Sequence, residues 1–67
     1  GTREFIQFLS ISKGSCGEVR SQLYRAHDLG YLDAAQLENL KNHIRQIEGG
    51  ITRLIQALKQ TQRPKRK

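Results

Sequence analysis

The sequence has no methionine and no tryptophan, and it has one proline and one cysteine in 67 residues. The single cysteine, Cys16, excludes an internal disulfide, and no cysteine and histidine cluster has the spacing of a zinc site. No apolar run is long enough to cross a bilayer or to form a secretory signal. A lone thiol is typical of a reducing compartment, so we expect a cytoplasmic protein. Because the chain opens with Gly-Thr and lacks methionine, we expect a fragment or a product whose natural start has been removed.

Side chains that commonly catalyse reactions are few. His27 and His43 are the two histidines. His27 is followed by Asp28, but sequence neighbours point to different sides of a helix, so we do not expect a catalytic pair. The Gly-Ser-Cys-Gly segment at residues 14–17 lacks the preceding strand and the Lys-Ser/Thr ending of a phosphate-binding loop. We therefore predict no catalytic residue, no metal site and no cofactor, and a protein that is not an enzyme.

Apolar residues in the second half of the chain recur at alternating spacings of three and four. They are Leu37, Leu40, Ile44, Ile47, Ile51, Leu54 and Leu58. A matching row in the first half consists of Phe5, Leu9, Ser12, Cys16, Val19, Leu23 and Ala26. This spacing is typical of the seam between two helices that pack side by side. Because Cys16 lies in the row, we expect a buried and inert thiol.

The segment between the two rows carries signals that end one helix and start another. Gly30 suits the left-handed position that follows many helices, and Asp33 with Gln36 is a variant of the capping box. Thr2 is the predicted N-cap of the first helix. A connection of about four residues makes neighbouring helices antiparallel. These signals predict an all-α antiparallel helical hairpin.

The predicted hairpin spans residues 1–59. Its helices cover about residues 3–29 and 34–59. Pro64 cannot continue a helix, so residues 60–67 are predicted to form a basic, disordered tail.

The apolar surface of the first helix is wider than one partner helix covers. The candidate interface residues on this surface are Phe5, Ile6, Phe8, Leu9 and Ile11. A chain this short is marginally stable, so we expect a further helix layer from another chain or from a preceding segment. Small residues at spacings of four, three and four, which are Ser10, Gly14, Gly17 and Ser21, form a strip that favours close contact with a helix. A plain polar face and close approach of a phosphate backbone are the alternatives for this strip.

Positive charge is concentrated at the end of the chain. The net charge is +6. Four of these charges come from the last eight residues, which contain Arg63, Lys65, Arg66 and Lys67 and no acid. Further candidates for contact with nucleic acid are Lys13 and Arg20 in the first helix, with Tyr24 as a stacking ring, and Lys41, Arg45 and Lys59 in the second. The three candidates of the second helix are predicted to share one outward face, which also carries Glu38 and Glu48. A strongly basic tail favours a polyanionic partner, whereas a solvated face and a solubilising end are the alternatives.

Three segments resemble the sequence signature of a known family. They are residues 3–18, with the pattern EF-x-x-FL-x-I-x-x-GS-x-x-E, the Asp-Leu-Gly-Tyr-Leu turn at residues 28–32, and the apolar run at residues 50–58. Over residues 2–59 the chain resembles the second half of the bacterial four helix bundle proteins. Some of these are encoded by intervening sequences within large-subunit ribosomal RNA genes, and the accessory variability proteins of diversity-generating retroelements are relatives.

The resemblance implies that this chain supplies the third and fourth helices of a four-helix bundle. It also implies a homo-oligomer with basic surfaces, which is a pentamer in the known examples. We expect a non-catalytic accessory protein that binds nucleic acid and does not bind a membrane. RNA is the expected nucleic acid, and DNA is the alternative. The alternative is a protein-interaction or scaffold module, for instance a partner of a retroelement reverse transcriptase.

Overall fold

The computed structural model describes residues 1–62, which form two helices in an antiparallel hairpin. Helix α1 is Thr2–Asp28 and helix α2 is Ala34–Gln62. The described residues contain no strand. The predicted all-α hairpin is confirmed. The molecule is a rod of 58 × 17 × 11 Å, which is one helix layer thick, so both of its broad faces are open to solvent.

The turn is built by local hydrogen bonds that the sequence predicted. Gly30 has a φ of 87°, and its N–H donates to the His27 carbonyl at 3.0 Å. The Tyr31 N–H donates to the Ala26 carbonyl at 2.9 Å, which completes a Schellman motif. Only glycine adopts this left-handed conformation without a steric penalty, so Gly30 fixes where α1 ends.

Helix α2 begins with a reciprocal capping box. The Gln36 N–H donates to Asp33 Oδ1 at 2.7 Å, and the Asp33 N–H donates to Gln36 Oε1 at 2.9 Å. The two side chains therefore satisfy two backbone donors that would otherwise lack partners at the start of the helix. This confirms the capping box that the sequence predicted.

Two predicted helix ends were wrong. Gly1, not Thr2, is the N-cap of α1, because the Phe5 N–H already reaches the Gly1 carbonyl at 3.1 Å. Helix α2 continues to Gln62 instead of ending near residue 59. Proline disfavours helical backbone mainly at the residue before it, so Pro64 does not prevent the helix from covering residues 60–62. The predicted tail residues 63–67 lie outside the described residues.

The seam between the helices uses five of the seven members of the α1 row and four of the seven members of the α2 row. Leu9, Cys16 and Leu37 are buried, which confirms the buried thiol. Partly buried residues extend the seam along both helices, and they are Ile6, Ser12, Leu23, Ala26, Ile44, Ile51, Ile55 and Leu58. The interpretation of each row as one buried seam was wrong. Phe5 and Val19 of α1 are exposed, and Leu40, Ile47 and Leu54 of α2 are 37%, 51% and 42% exposed.

The physical reason is the width of the rows. A row that alternates between spacings of three and four spreads over a broad stripe of the helix surface, and one partner helix covers only part of that stripe. Leu37, Ile44, Ile51 and Leu58 point at α1, while the intervening Leu40, Ile47 and Leu54 lie to one side of the contact. Ile55 takes a place in the seam that the sequence assigned to Leu54.

Candidate nucleic-acid interface

Cross-helix contacts define one broad side of the hairpin, which we call the polar face. Arg20 of α1 pairs with Glu48 of α2, and Lys41 of α2 lies over the ring of Tyr24. Helical spacing places further basic residues along the same side, at one or two turns from these contacts. The polar face therefore consists of Lys13, Arg20, Tyr24, Glu38, Lys41, Arg45, Glu48 and Lys59.

The opposite broad side is the apolar face. It contains the exposed members of the two rows, together with Phe8. These are Phe5, Phe8 and Val19 of α1 and Leu40, Ile47 and Leu54 of α2. By helical spacing, the positions between them are held by Ser12, Ser15, Ala26, Gln36 and His43 and carry no Lys, Arg, Asp or Glu. The hairpin is therefore amphipathic as a whole, with charge on one face and apolar side chains on the other.

An ion pair lies in the middle of the polar face. Arg20 Nη1 donates to Glu48 Oε1 at 2.5 Å and Nη2 donates to Oε2 at 3.1 Å. This is the two-pronged geometry in which a guanidinium binds a carboxylate most specifically. The two side chains are 36% and 21% exposed, so solvent reaches both partners.

The Glu48 carboxylate is surrounded by positive charge. The hydrogen bonds from Arg20 lower the pKa of Glu48 most. Burial opposes them as the next largest effect, and the charges of Arg20, Lys13 and Arg45 lower the pKa further. The same hydrogen bonds raise the pKa of Arg20, which stays charged. One carboxylate thus sits among three cations that belong to both helices.

The Lys41 side chain is 17% exposed and lies against α1. Its Nζ lies 4.8 Å from the centroid of the Tyr24 ring and 3.6 Å from Glu38 Oε1. The contact with Tyr24 raises the pKa of Lys41 most, and the Glu38 charge adds to it. The sequence analysis placed Lys41 and Glu48 on an outward face, and this was wrong because both lie at the boundary with α1. Lys41 and the Tyr24 ring therefore have partners within the chain, and Tyr24 is also 45% exposed.

The remaining predicted cations are more accessible. Lys13, Arg45 and Lys59 are exposed, and Arg45 Nη1 donates to Asn42 Oδ1 at 2.8 Å. The predicted tail cations, Arg63, Lys65, Arg66 and Lys67, lie outside the described residues. Contact of any of these side chains with nucleic acid stays a prediction.

The predicted interface residues fall into separate places. Phe5, Phe8 and Ile11 are exposed, but Leu9 is only 7% exposed because it packs in the seam. Ile6 is half-buried. Leu9 is therefore a core residue and not part of an open surface, whereas Phe5 and Phe8 lie on the apolar face.

The strip of small residues lies away from the seam. A Cβ atom added at Gly14 would meet nothing within 4 Å, and one added at Gly17 would meet only Arg20 Nη2 at 3.9 Å. Packing within the hairpin therefore does not explain these two glycines. Their proposed close contacts with a second helix or a phosphate backbone stay predictions.

The chain matches one family model. The model describes the 23S rRNA-intervening sequence protein, and it matches residues 1–53. The chain belongs to this family. The resemblance noted in the sequence is confirmed. No curated protein and no solved structure matches the chain.

The part of the chain shared with the 23S rRNA-intervening sequence proteins contains most of the polar face. Residues 1–53 include α1, the turn and the first two-thirds of α2. Lys13, Arg20, Arg45 and Glu48 lie within the match, whereas Lys59 and the tail lie beyond it. The charged centre of the hairpin is thus inside the family region.

The two histidine side chains have neighbours within their own helices. The described residues contain no group of three or more histidine, cysteine or acidic side chains that could hold a metal. His27 Nδ1 lies 3.8 Å from Asp28 Oδ1, which is longer than a hydrogen bond. His43 Nδ1 lies 3.0 Å from the Asn39 carbonyl of its own helix. Neither described helix is long and apolar enough to pass through a membrane.

Proposed function

We propose that this 23S rRNA-intervening sequence protein is a non-catalytic RNA-binding protein that works as part of an oligomeric helical bundle in the cytoplasm. The observation that carries the proposal is the division of the hairpin into a basic polar face and a charge-free apolar face. The family description, which refers to ribosomal RNA, supports RNA as the polyanion.

Charge neutralisation is the chemistry that this arrangement offers. Lysine and arginine side chains displace counterions from phosphates, and this displacement supplies most of the free energy of sequence-independent binding. Phosphate contacts fix position and carry no sequence information. The described polar face offers cations along its length, so we expect contacts with the RNA backbone instead of readout of bases.

The apolar face is the proposed assembly surface. Its exposed rows run along both helices, and a hairpin one layer thick cannot cover them. Packing a second helical layer on this face would leave the polar face free for RNA. A homo-oligomer, for which the pentamers of known relatives are the guide, is the form of assembly that we propose.

The test of the proposed function is the salt dependence of RNA binding. We expect the affinity of the full chain for an unrelated RNA duplex to fall steeply between 50 and 200 mM salt. Replacing Arg63, Lys65, Arg66 and Lys67 with glutamine should flatten the slope of log affinity against log salt by roughly 3–4 units, at about 0.9 per phosphate contact. Fluorescence anisotropy measures both slopes.

The control variant neutralises three cations that lie outside both the polar face and the tail. Arg3, Arg25 and Arg53 lie at exposed positions away from the polar face, and replacing them with glutamine should change the slope much less. RNA affinity that does not depend on salt would reject the proposed function. An unchanged slope in the tail variant alone would reject only the role of the tail.

A protein-interaction module is the second candidate, and the apolar face favours it. In that case Phe5 and Phe8 would dock on a different protein, such as a reverse transcriptase of a retroelement. The tail variant distinguishes the candidates when both RNA binding and partner capture are measured. Loss of RNA binding alone supports the first function, and loss of neither supports the second.

A further inference from the structure

Glu48 holds an unusual place for an acidic residue on a basic surface. Its carboxylate receives both Nη donors of Arg20, at 2.5 and 3.1 Å, across the two helices. The charges of Lys13 and Arg45 also act on it. A bidentate guanidinium with neighbouring cations is the arrangement that binds a phosphate group, and here a carboxylate of the same chain occupies it.

We propose that Glu48 occupies the phosphate site of the polar face, and that an RNA phosphate displaces it from Arg20 when the nucleic acid binds. This inference rests on the proposed function and deepens it. It identifies Arg20 as the central phosphate ligand and Glu48 as the internal competitor that limits affinity for RNA.

Access to the pair supports the exchange. The Arg20 and Glu48 side chains are 36% and 21% exposed, so the ion pair lies at the surface and is not sealed in the core. Beside Arg20, Gly17 presents no side chain, and its Cβ position lies 3.9 Å from Arg20 Nη2. A phosphate therefore has a route to the guanidinium. Carboxylate and phosphate both bind the same guanidinium fork, so replacing one by the other keeps the Arg20 donors satisfied.

The decisive comparison is Glu48→Gln against Glu38→Gln. Both substitutions remove one negative charge from α2, but Glu38 contacts Lys41 and not Arg20. We expect E48Q to tighten binding of a 20-nucleotide single-stranded RNA by about tenfold more than E38Q, as expected for losing one charge-assisted competing contact. Because Arg20 contacts a phosphate in both complexes, the salt slope of E48Q should stay within about 0.3 of that of the unaltered chain, well below the value of about 0.7 for one added phosphate contact on a single strand.

A second variant assigns the gain to Arg20. In the double variant Arg20→Gln with Glu48→Gln, the net charge equals that of the original chain and the phosphate ligand is absent. We expect the tightening seen in E48Q to disappear. Circular dichroism of each variant checks that the helices remain.

Carbon-13 and nitrogen-15 NMR of the unaltered chain tests the exchange without any substitution. When the protein is saturated with RNA, the Glu48 carboxyl resonance should shift towards that of a free carboxylate, and the Arg20 Nε–H resonance should shift with it. Unmoved resonances, or equal tightening of RNA binding in E48Q and E38Q, would overturn the inference. The proposed function would stand in that case if RNA binding still depended on salt. No RNA binding by the unaltered chain would overturn both.

Discussion

At the scale of single residues, the ion pair between Arg20 and Glu48 links the two helices of the hairpin. Arg20 and Glu48 are 28 positions apart in sequence and meet across the helix–helix boundary. Taken separately, each is one charge among many on an amphipathic helix. Together they fix which sides of the two helices form the polar face, and they reduce the number of free cations on it.

The pH dependence of stability follows from the lowered pKa of Glu48. A carboxyl group with a lower pKa in the folded than in the unfolded chain stabilises the fold above its unfolded pKa of about 4.3, and this contribution is lost as the pH falls through the folded value. We expect the thermal midpoint of the hairpin to fall on acidification below about pH 4, and E48Q to reduce that fall. Thermal unfolding followed by circular dichroism measures it.

Glu18→Gln is the control for this measurement. Glu18 is exposed on α1 and forms none of the cross-helix contacts of the polar face. It should leave the acid-induced fall nearly unchanged. An E48Q profile that coincides with that of the unaltered chain would contradict the role of the ion pair in stability.

At the scale of elements, the ends of the helices are determined by local chemistry. The Schellman motif at Gly30 and the capping box of Asp33 and Gln36 use residues that lie within five positions of one another. The short connection between them makes the two helices antiparallel. These motifs set the hairpin before any contact between the helices is considered.

Glycine substitutions test the turn directly. Gly30→Ala should destabilise the hairpin by about 1 kcal/mol, because an L side chain is strained at a φ of 87°. Gly14→Ala should instead stabilise the hairpin by up to about 1 kcal/mol, because its backbone is helical and its Cβ position is empty. Chemical denaturation measures both. Destabilisation by Gly14→Ala would show that a second helix packs on the small-residue strip.

At the scale of the whole molecule, the apolar face leaves large apolar side chains of an isolated hairpin exposed to water. Three exposed aliphatic residues of α2, spaced seven apart, line it together with Phe5 and Phe8 of α1. Burial of apolar surface contributes about 25 cal/mol per Å², so covering both rows favours association. A contiguous exposed patch of this kind marks an interaction surface.

Assembly through the apolar face predicts the effect of a charge at its centre. Ile47→Glu should shift the protein towards smaller species in analytical ultracentrifugation, because a carboxylate in the interface would lose its hydration. Gln46→Glu places the same charge on the neighbouring exposed position, which points away from the face, and should leave the assembly unchanged. Equal sedimentation of the unaltered chain and Ile47→Glu would contradict the assignment of this surface.

Part of the polar face was predicted from the sequence. It selected Lys13, Arg20 and Arg45 from their charge and helical spacing, and all three lie on or beside the polar face. It did not find the pair of Arg20 with Glu48, although opposite charges that both border the predicted apolar rows are a signal for it. It also placed Lys41 outward, because helical spacing does not show that Tyr24 of the other helix would cover it.

The sequence by itself determined the two helices, their turn and their antiparallel direction, since these depend on periodicity and on caps within a few residues. Only the tertiary structure decided which members of each apolar row are buried and which cations of the described residues form contacts within the chain. Those outcomes depend on the register and rotation of one helix against the other, and contacts between distant residues set both.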